Sequence, residues 1–258
     1  MAEIISELKE SVFILRLNRP EKFNSFNRPM ALLLQKELAR AESDKNIRAV
    51  YLTGEGKAFC AGQDLSEAVA ENGPGIEKIV FEHYNPIIKK IRQIEKPVLC
   101  AVNGVAAGAG ANIALSCDVV IASASASFIQ AFSKIGLIPD SSGTFFLPRL
   151  IGFQRASALM MSGEKVSAAD ALKMGMIYKV VDDDKLSEES FMTALMLAKM
   201  PTKALGLTKR LLNMSLNNDL NAQLKSEGEL QILCSQTYDY NEGVKAFLEK
   251  RKPEFRGE

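Results

Sequence analysis

The stretch that most constrains the fold is a run of residues with small side chains at positions 106–112, which reads AAGAGAN. It follows an apolar, strand-like segment at 98–104 and precedes an apolar, helix-like segment at 113–115. Glycine and alanine leave the backbone uncovered where a strand passes into a helix, and the first amides of a helix have no intrahelical partner. The run therefore predicts either a backbone site for a thioester or phosphate oxygen, or a tightly packed buried helix.

A second loop has the same character and favours the backbone site. Residues 54–65, GEGKAFCAGQDL, follow the strand-like residues 49–53 and again place small residues just past a strand end. In open α/β folds, ligands bind at the carboxyl ends of the strands. Two such loops can each supply one N–H group to a single oxygen atom.

Apolar patterns of different period divide much of the chain into strands and helices. Short continuous apolar runs predict buried strands, whereas a spacing near 3.6 residues predicts helices. Their alternation predicts a layered α/β core, breaker residues at 71–75 predict a mobile loop, and from about Ser187 the pattern is helical. The predicted strands are 12–17, 49–53, 98–102, 119–122 and 127–129, and the predicted helices are 30–41, 76–94, 143–150, 192–199, 203–214, 220–234 and 242–250.

Four segments, in this order, resemble the motifs of one protein family. They read GEGKAFCAGQDL, KPVLCAVNGVAAGAGANIALSCD, GLIPDSSGTFFLPRLIG and EGVKAFLEKRKPEF. The resemblance is to the enoyl-CoA hydratase/isomerase (crotonase) superfamily, and it extends from about Val12 to Phe255. Within the superfamily the chain is most similar to ring-1,2-epoxyphenylacetyl-CoA isomerases and enoyl-CoA isomerases.

The resemblance implies a particular fold and assembly. It predicts an α/β core in which β-β-α units form a spiral, residues 1–190, and a C-terminal helical region, residues 191–258, that builds homotrimers or homohexamers. The residues add a reason of their own, because the predicted C-terminal helices carry more apolar side chains than a small tail can bury alone. These side chains are Leu205, Leu212, Leu216, Leu224, Leu230 and Leu233.

The resemblance also implies an acyl-CoA thioester substrate and an oxyanion hole made by the backbone N–H groups of Gln63 and Ala109. Negative charge grows on the thioester oxygen when a proton leaves the acyl chain, and two fixed donors stabilise that charge. Hydratases of the family use two glutamates, and the matching positions here are Asn112 and Phe132. Neither side chain exchanges a proton, so hydration by two carboxylates is not expected.

One carboxylate remains near the expected site. Family members that shift double bonds carry an aspartate at the place of Asp140, and the apolar residues around it favour a raised pKa. The competing interpretation is that Asp140 only caps the helix predicted at 143–150. For Asn112 three interpretations stay open: a hydrogen bond to the substrate, one to Asp140, or one to the helix backbone.

Other positions are assigned to substrate binding through the resemblance. The loop around residues 57–65 is expected to bind CoA through its backbone, and Asn112 and Phe132 are expected to line the acyl site. Phe247 and Lys250 match family positions that reach the nucleotide, often from a neighbouring subunit, although Lys250 also fits an ordinary solvated helix residue. The predicted loop residues are Lys57, Ala58, Ala61, Asp64 and Leu65.

Composition excludes several classes of function. The net charge is +1, which indicates neither nucleic-acid nor membrane-surface binding, and no apolar run reaches the ~18 residues of a membrane span. The single histidine, His83, lies in a polar helix-like stretch without a G-x-S-x-G motif, so a Ser-His-Asp mechanism is not expected. Four scattered cysteines predict reduced thiols and a cytoplasmic protein, with no metal site, no cofactor and no targeting segment.

These observations favour one activity and leave two alternatives. The leading hypothesis is an acyl-CoA isomerase that shifts a double bond, or isomerises a ring-epoxide acyl-CoA, by proton transfer through Asp140. The alternatives are an enoyl-CoA hydratase of fatty-acid or phenylacetate degradation with atypical residues, and a non-catalytic binding protein of the same fold.

Overall fold

A computed structural model describes residues 2–258 and shows ten strands and twelve α-helices in that range. The strands are β1 Ile4–Lys9, β2 Val12–Leu17, β3 Ala49–Gly54, β4 Ala58–Cys60, β5 Val98–Val102, β6 Val105–Ala107, β7 Val119–Ser123, β8 Ser127–Ile129, β9 Lys165–Ser167 and β10 Lys179–Val181. The helices are α1 Arg28–Ser43, α2 Leu65–Ala68, α3 Gly75–Lys78, α4 Asn85–Gln93, α5 Ala109–Leu115, α6 Gly143–Ile151, α7 Phe153–Ser162, α8 Ala168–Lys173, α9 Leu186–Lys199, α10 Thr202–Ser215, α11 Leu220–Ser235 and α12 Tyr238–Glu249. A π-helical segment, Ile79–Tyr84, joins α3 to α4, and short 3-10 turns lie at Pro20–Lys22, Ala131–Ile135 and Asp183–Lys185.

Repeated β-β-α units build two sheets. The larger sheet has the order β1-β2-β3-β5-β7-β10 and is parallel except for β1, and the smaller has the order β4-β6-β8-β9. Each of β3, β5 and β7 is followed by a short strand of the smaller sheet, so the chain advances as a spiral. This arrangement confirms the predicted α/β spiral.

The larger sheet is covered on both faces, which explains why its parallel strands have continuous apolar sequences. On one face, Tyr51, Leu99 and Ile121 pack with residues of α9. On the other, Val50, Leu52 and neighbouring residues form the main core with α1, α4 and α5. All five predicted strands are confirmed, whereas β1 was missed because five of its six residues are exposed.

The predicted domain boundary between residues 190 and 191 lies inside α9. This helix begins at Leu186, and its buried residues Ala194 and Leu195 pack against the larger sheet. The helices that leave the sheet begin beyond Pro201, with α10. Because α9 packs on the larger sheet, it belongs to the core, although the helical sequence pattern begins at about the same place as this helix.

His83 belongs to the core and not to a catalytic site. It is buried in the π-helical segment, and neither ring nitrogen has a hydrogen-bond partner among residues 2–258. Burial lowers the pKa of its imidazole, which keeps it neutral. The structure therefore gives His83 a packing role in this helical segment.

Gly110 provides a stability test of the small-residue run. A Cβ atom there would lie 2.4 Å from the carbonyl oxygen and 2.7 Å from the Sγ atom of Cys60. Gly110→Ala is therefore expected to lower the Tm by about 2–12 °C, since an overpacked core costs roughly 1–3 kcal/mol and each kcal/mol shifts the Tm of a chain of this size by about 2–4 °C. Gly228→Ala, where a Cβ would meet nothing within 4 Å, is the control and should not lower it. Equal melting curves for the two variants would contradict the close packing.

Candidate active site

A cavity of about 530 Å³ opens where the two small-residue loops meet the turn before α6. Its walls also include the π-helical segment and the residues after β8. Most lining side chains are aliphatic or aromatic, and Asp140 is the only carboxylate among the described residues that line it. The residues that line it include Ala61, Gly62, Gln63, Leu65, Tyr84, Ala109, Phe132, Asp140 and Ser141.

The two loops approach each other closely at Gly62. Its φ is +93°, and a Cβ there would lie 2.9 Å from the Ala107 carbonyl oxygen and 3.6 Å from the Ala109 amide nitrogen. Only glycine accommodates both the backbone angle and the approach. The amides of Gln63 and Ala109 therefore lie on adjoining parts of the cavity wall.

The amides predicted to form the oxyanion hole are free for a ligand. The N–H of Phe26 donates to the Gly62 carbonyl at 2.7 Å, and the N–H of Asp64 donates to the Phe26 carbonyl at 2.8 Å. These two backbone bonds fix the residues on either side of Gln63. Within residues 2–258, neither the N–H of Gln63 nor that of Ala109 donates to another residue. Ala109 is the first residue of α5, where free N–H groups and the helix dipole favour negative charge.

Asp140 lies half-buried on the turn that precedes α6. Burial raises the pKa of its carboxyl, and a hydrogen bond from the Ser141 hydroxyl to Asp140 Oδ1, 2.8 Å long, opposes part of that shift. The capping interpretation of Asp140 is wrong, because Ser142 holds the N-cap position and no side chain caps α6. The Asp140 carboxyl group therefore bonds to the Ser141 hydroxyl and not to the N–H groups at the start of α6.

Asn112 binds the Asp140 turn rather than the cavity. Its Nδ2 donates to the Asp140 carbonyl at 2.8 Å, its Oδ1 accepts from Gln130 Nε2 at 2.8 Å, and its side chain is 1% exposed. Asn112 does not line the cavity, so its assignment as a substrate-binding residue is corrected. Of its three possible roles, the hydrogen bond to Asp140 is the one formed.

Phe132 lines the cavity, as the resemblance predicted, and lies in the 3-10 turn that follows β8. Its ring lies 3.8 Å from the point where a Cβ on Gly108 would be, so it packs beside the start of α5. At the two positions where family hydratases carry glutamates, this chain thus has Asn112, a buried amide hydrogen-bonded at both ends, and Phe132, a hydrocarbon ring.

Sequence reasoning missed Tyr84, which the π-helical segment places in the cavity wall. Its buried hydroxyl donates to Gln63 Oε1 at 2.9 Å, and burial raises the pKa of the phenol well above its ordinary value. Glu67 receives a second bond from Gln63 Nε2 at 3.2 Å. No short motif marks Tyr84, because its approach to Gln63 depends on tertiary packing.

The residues assigned to CoA occupy different places. Ala61 and Leu65 line the cavity, and Lys57 is exposed. Ala58 is buried, and its carbonyl accepts a hydrogen bond from Asn24. The N–H of Asp64 donates to the Phe26 carbonyl, and its carboxylate pairs with Arg19 at 2.9 Å. The CoA-binding roles of both residues stay predictions.

Phe247 and Lys250 lie away from this cavity in the single chain. Phe247 is 82% exposed and lines a separate cavity of about 480 Å³ formed by residues of α10, α11 and α12. Lys250 caps the end of α12. Neither residue lines the cavity that contains Asp140, and their role in binding the nucleotide stays a prediction.

Two further properties concern metals and membranes. In the described part of the chain, no group of three or more histidine, cysteine or acidic side chains is arranged to hold a metal ion. No helix within residues 2–258 has the length and apolar character needed to cross a bilayer.

Comparison with known proteins decides the family. The sequence model described as Enoyl-CoA hydratase/isomerase matches residues 7–258. The chain belongs to the enoyl-CoA hydratase/isomerase family. This family member is 47% identical over 260 residues to the 1,2-epoxyphenylacetyl-CoA isomerase of Escherichia coli K12, covering 100% of this chain and 99% of the relative.

Hydratases are also among the relatives of this family member. It is 45% identical to a probable enoyl-CoA hydratase of Rhodobacter capsulatus, with coverage of 97% of this chain and 96% of the relative. The crystal structure of an enoyl-CoA hydratase from Bacillus anthracis is 34% identical, with a TM-score of 0.93 and coverage of 99% and 100%. The protein is therefore an enzyme of the hydratase/isomerase type, with relatives of both activities.

Proposed function

We propose that this protein is an acyl-CoA isomerase in which Asp140 transfers the proton. The observation that carries the proposal is that Asp140 is the one carboxylate lining the cavity among residues 2–258. A double-bond shift needs one group that removes a proton and returns it, whereas hydration also needs a group to activate water. The single carboxylate suits the first reaction.

The proposed step balances within the substrate. Asp140 removes a proton from the α or γ carbon, and the electron pair moves into the thioester carbonyl to give a dienolate. The N–H groups of Gln63 and Ala109 stabilise the negative oxygen. The same carboxyl then returns the proton to the other carbon, so the double bond moves and no atom is lost.

Two substrate classes fit this proposal. The Escherichia coli relative is named for the isomerisation of 1,2-epoxyphenylacetyl-CoA, which makes a ring-epoxide thioester one candidate substrate. A linear 3-enoyl-CoA is the other, since it needs only the proton transfer described above. The apolar cavity accommodates either acyl group.

The second candidate is hydration, favoured by the names of several relatives. It requires a water-activating group, and the side chains at the two matching positions are Asn112, with both amide ends hydrogen-bonded, and Phe132. Hydration is therefore expected to be slow.

One set of assays separates these functions. The purified protein is incubated with a 3-enoyl-CoA, a 2-enoyl-CoA and a ring-epoxide acyl-CoA, with a chelator present and no cofactor added, because the proposed reaction needs neither metal nor cofactor. Conversion of the 3-enoyl or the epoxide substrate supports the proposal. Hydration of 2-enoyl-CoA as the fastest reaction would replace it with the second candidate, and no turnover with any substrate would indicate a binding protein.

Gln63→Ala is expected to preserve most of the activity, because the proposed oxyanion donor at this position is a backbone N–H. The substitution removes the bonds to Tyr84 and Glu67, and a single hydrogen bond contributes about 0.5–1.5 kcal/mol. Turnover should fall by less than about tenfold, and the Tm should fall by a few degrees because the buried Tyr84 hydroxyl loses its acceptor. A hundredfold loss in kcat would show that the side chain takes part directly.

We also propose that the chain assembles as a homotrimer or a pair of trimers. No residue of α11 is buried, and Leu220, Leu224 and Ile232 of this helix are exposed. Apolar surface of this kind is commonly covered by another subunit. Light scattering at micromolar concentration should report three or six times 28.2 kDa, and a monomer would contradict the proposal.

A further inference from the structure

We propose that Ser141 is a positioning residue that fixes the Asp140 carboxylate for proton transfer through one of its two oxygens. The inference rests on the proposed role of Asp140 as the proton-transferring group. Ser141 Oγ donates to Asp140 Oδ1 at 2.8 Å, and the serine is 2% exposed, so water does not compete freely for this bond. Oδ2 makes no hydrogen bond with another residue in the described chain and is left for the substrate.

The backbone of the turn supports this role. Ser141 and Ser142 have φ angles of +50° and +65°, a left-handed conformation that non-glycine residues adopt at a cost of about 1–3 kcal/mol. Two consecutive residues of this kind persist only where the surroundings fix them. The conformation brings the Ser141 hydroxyl back onto the side chain of the preceding residue.

Asn112 and Gly143 supply the fixed surroundings. Asn112 Nδ2 donates to the Asp140 carbonyl oxygen at 2.8 Å, and the Gly143 N–H donates to the same oxygen at 2.9 Å. A Cβ on Gly143 would lie 2.4 Å from Asn112 Nδ2, so the turn and the asparagine are in direct contact. Because the backbone is held at this point, the Ser141 bond sets the direction of the carboxyl group rather than the path of the chain.

The charges around Asp140 allow the role of Ser141 to be measured. Tyr84 faces the cavity from the π-helical segment, and its raised pKa keeps it neutral; no lysine, arginine or histidine among the described residues lines the cavity. The hydroxyl bond stabilises the carboxylate form and lowers the pKa that burial raises. Without it, the pKa of Asp140 rises, and the acid side of the pH–rate profile moves to higher pH.

The test compares two serines that share a backbone conformation. Ser141→Gly and Ser141→Ala both remove the hydroxyl, and Ser142→Gly relieves the same left-handed backbone while leaving the Ser141 bond in place. Titration of Asp140 is followed by infrared difference spectroscopy with carboxyl-labelled aspartate, with Asp140→Asn as the blank. Both Ser141 variants should raise the midpoint by about one pH unit, and Ser142→Gly should not.

The outcomes separate this inference from the proposed function. An unchanged midpoint in both Ser141 variants, or an equal shift in Ser142→Gly, would overturn the positioning role. Loss of the proposed function would instead show as full isomerase activity in Asp140→Asn, a result that the infrared midpoints do not affect. Where activity is present, the acid-side midpoint of the pH profile of kcat/KM should shift together with the infrared midpoint in the two Ser141 variants. In Ser142→Gly neither midpoint should shift.

Discussion

Asp140→Asn is expected to lower isomerase turnover by ~10²-fold or more, in line with the ~10²–10⁴ contributed by general acid/base residues. Asn has nearly the shape of Asp but cannot accept and return the proton. Acyl-CoA affinity should change little, because the proposed oxyanion donors are backbone N–H groups. Steady-state kcat and binding of a non-reactive acyl-CoA thioether measure the two effects separately.

The same variant should not lose stability. Burial raises the pKa of the Asp140 carboxyl above its unfolded value, so the folded state binds the proton more tightly than the unfolded chain. The stabilisation from this group is present below the unfolded pKa and is lost as pH rises through the folded pKa. At neutral pH, Asp140→Asn removes a costly buried charge, and its Tm should equal or exceed that of the parent protein.

Asp182→Asn is the control for this experiment. Asp182 is exposed and pairs with Lys185 on the surface, away from the cavity. Its substitution should change neither turnover nor Tm appreciably. If Asp140→Asn were as active as Asp182→Asn, the proton-transferring group would have to lie elsewhere.

Ala109→Pro is expected to cost about 10²–10³ in kcat, the loss measured when one oxyanion donor is removed. Proline has no N–H, yet it is well accepted at the first position of a helix, which Ala109 occupies in α5. The preceding residue is Gly108, whose missing Cβ reduces the usual clash with a following proline. The substitution therefore removes the proposed donor with little demand on the fold.

Phe153→Pro tests whether proline at a first helical position is itself harmful. Phe153 is the first residue of α7, follows a glycine as Ala109 does, is 77% exposed and lies outside the cavity. It should retain parental kcat, and circular dichroism should show native helix content in both variants. Parental turnover in Ala109→Pro would exclude this amide from the oxyanion hole.

The sequence determined the parts of the site that depend on local backbone. The small residues at 106–112 specify a strand-to-helix passage with uncovered amides, because any larger side chain would cover them. The resemblance assigned the donor roles to the amides of Gln63 and Ala109, although only the fold places the Gly62 Cβ position 3.6 Å from the Ala109 amide nitrogen. Buried strands such as β5 were equally readable, since both faces of a parallel sheet require apolar residues.

Tertiary structure decided the roles of the polar side chains. Asn112 had three possible partners, and only packing against Gly143 directs its amide to the Asp140 turn. Tyr84 donates to Gln63 across 21 positions of chain, and Ser141 donates to Asp140 from a turn whose left-handed backbone the sequence does not reveal. Backbone exposure follows from residue size and can be read locally, whereas a hydrogen-bond partner depends on where distant segments pack.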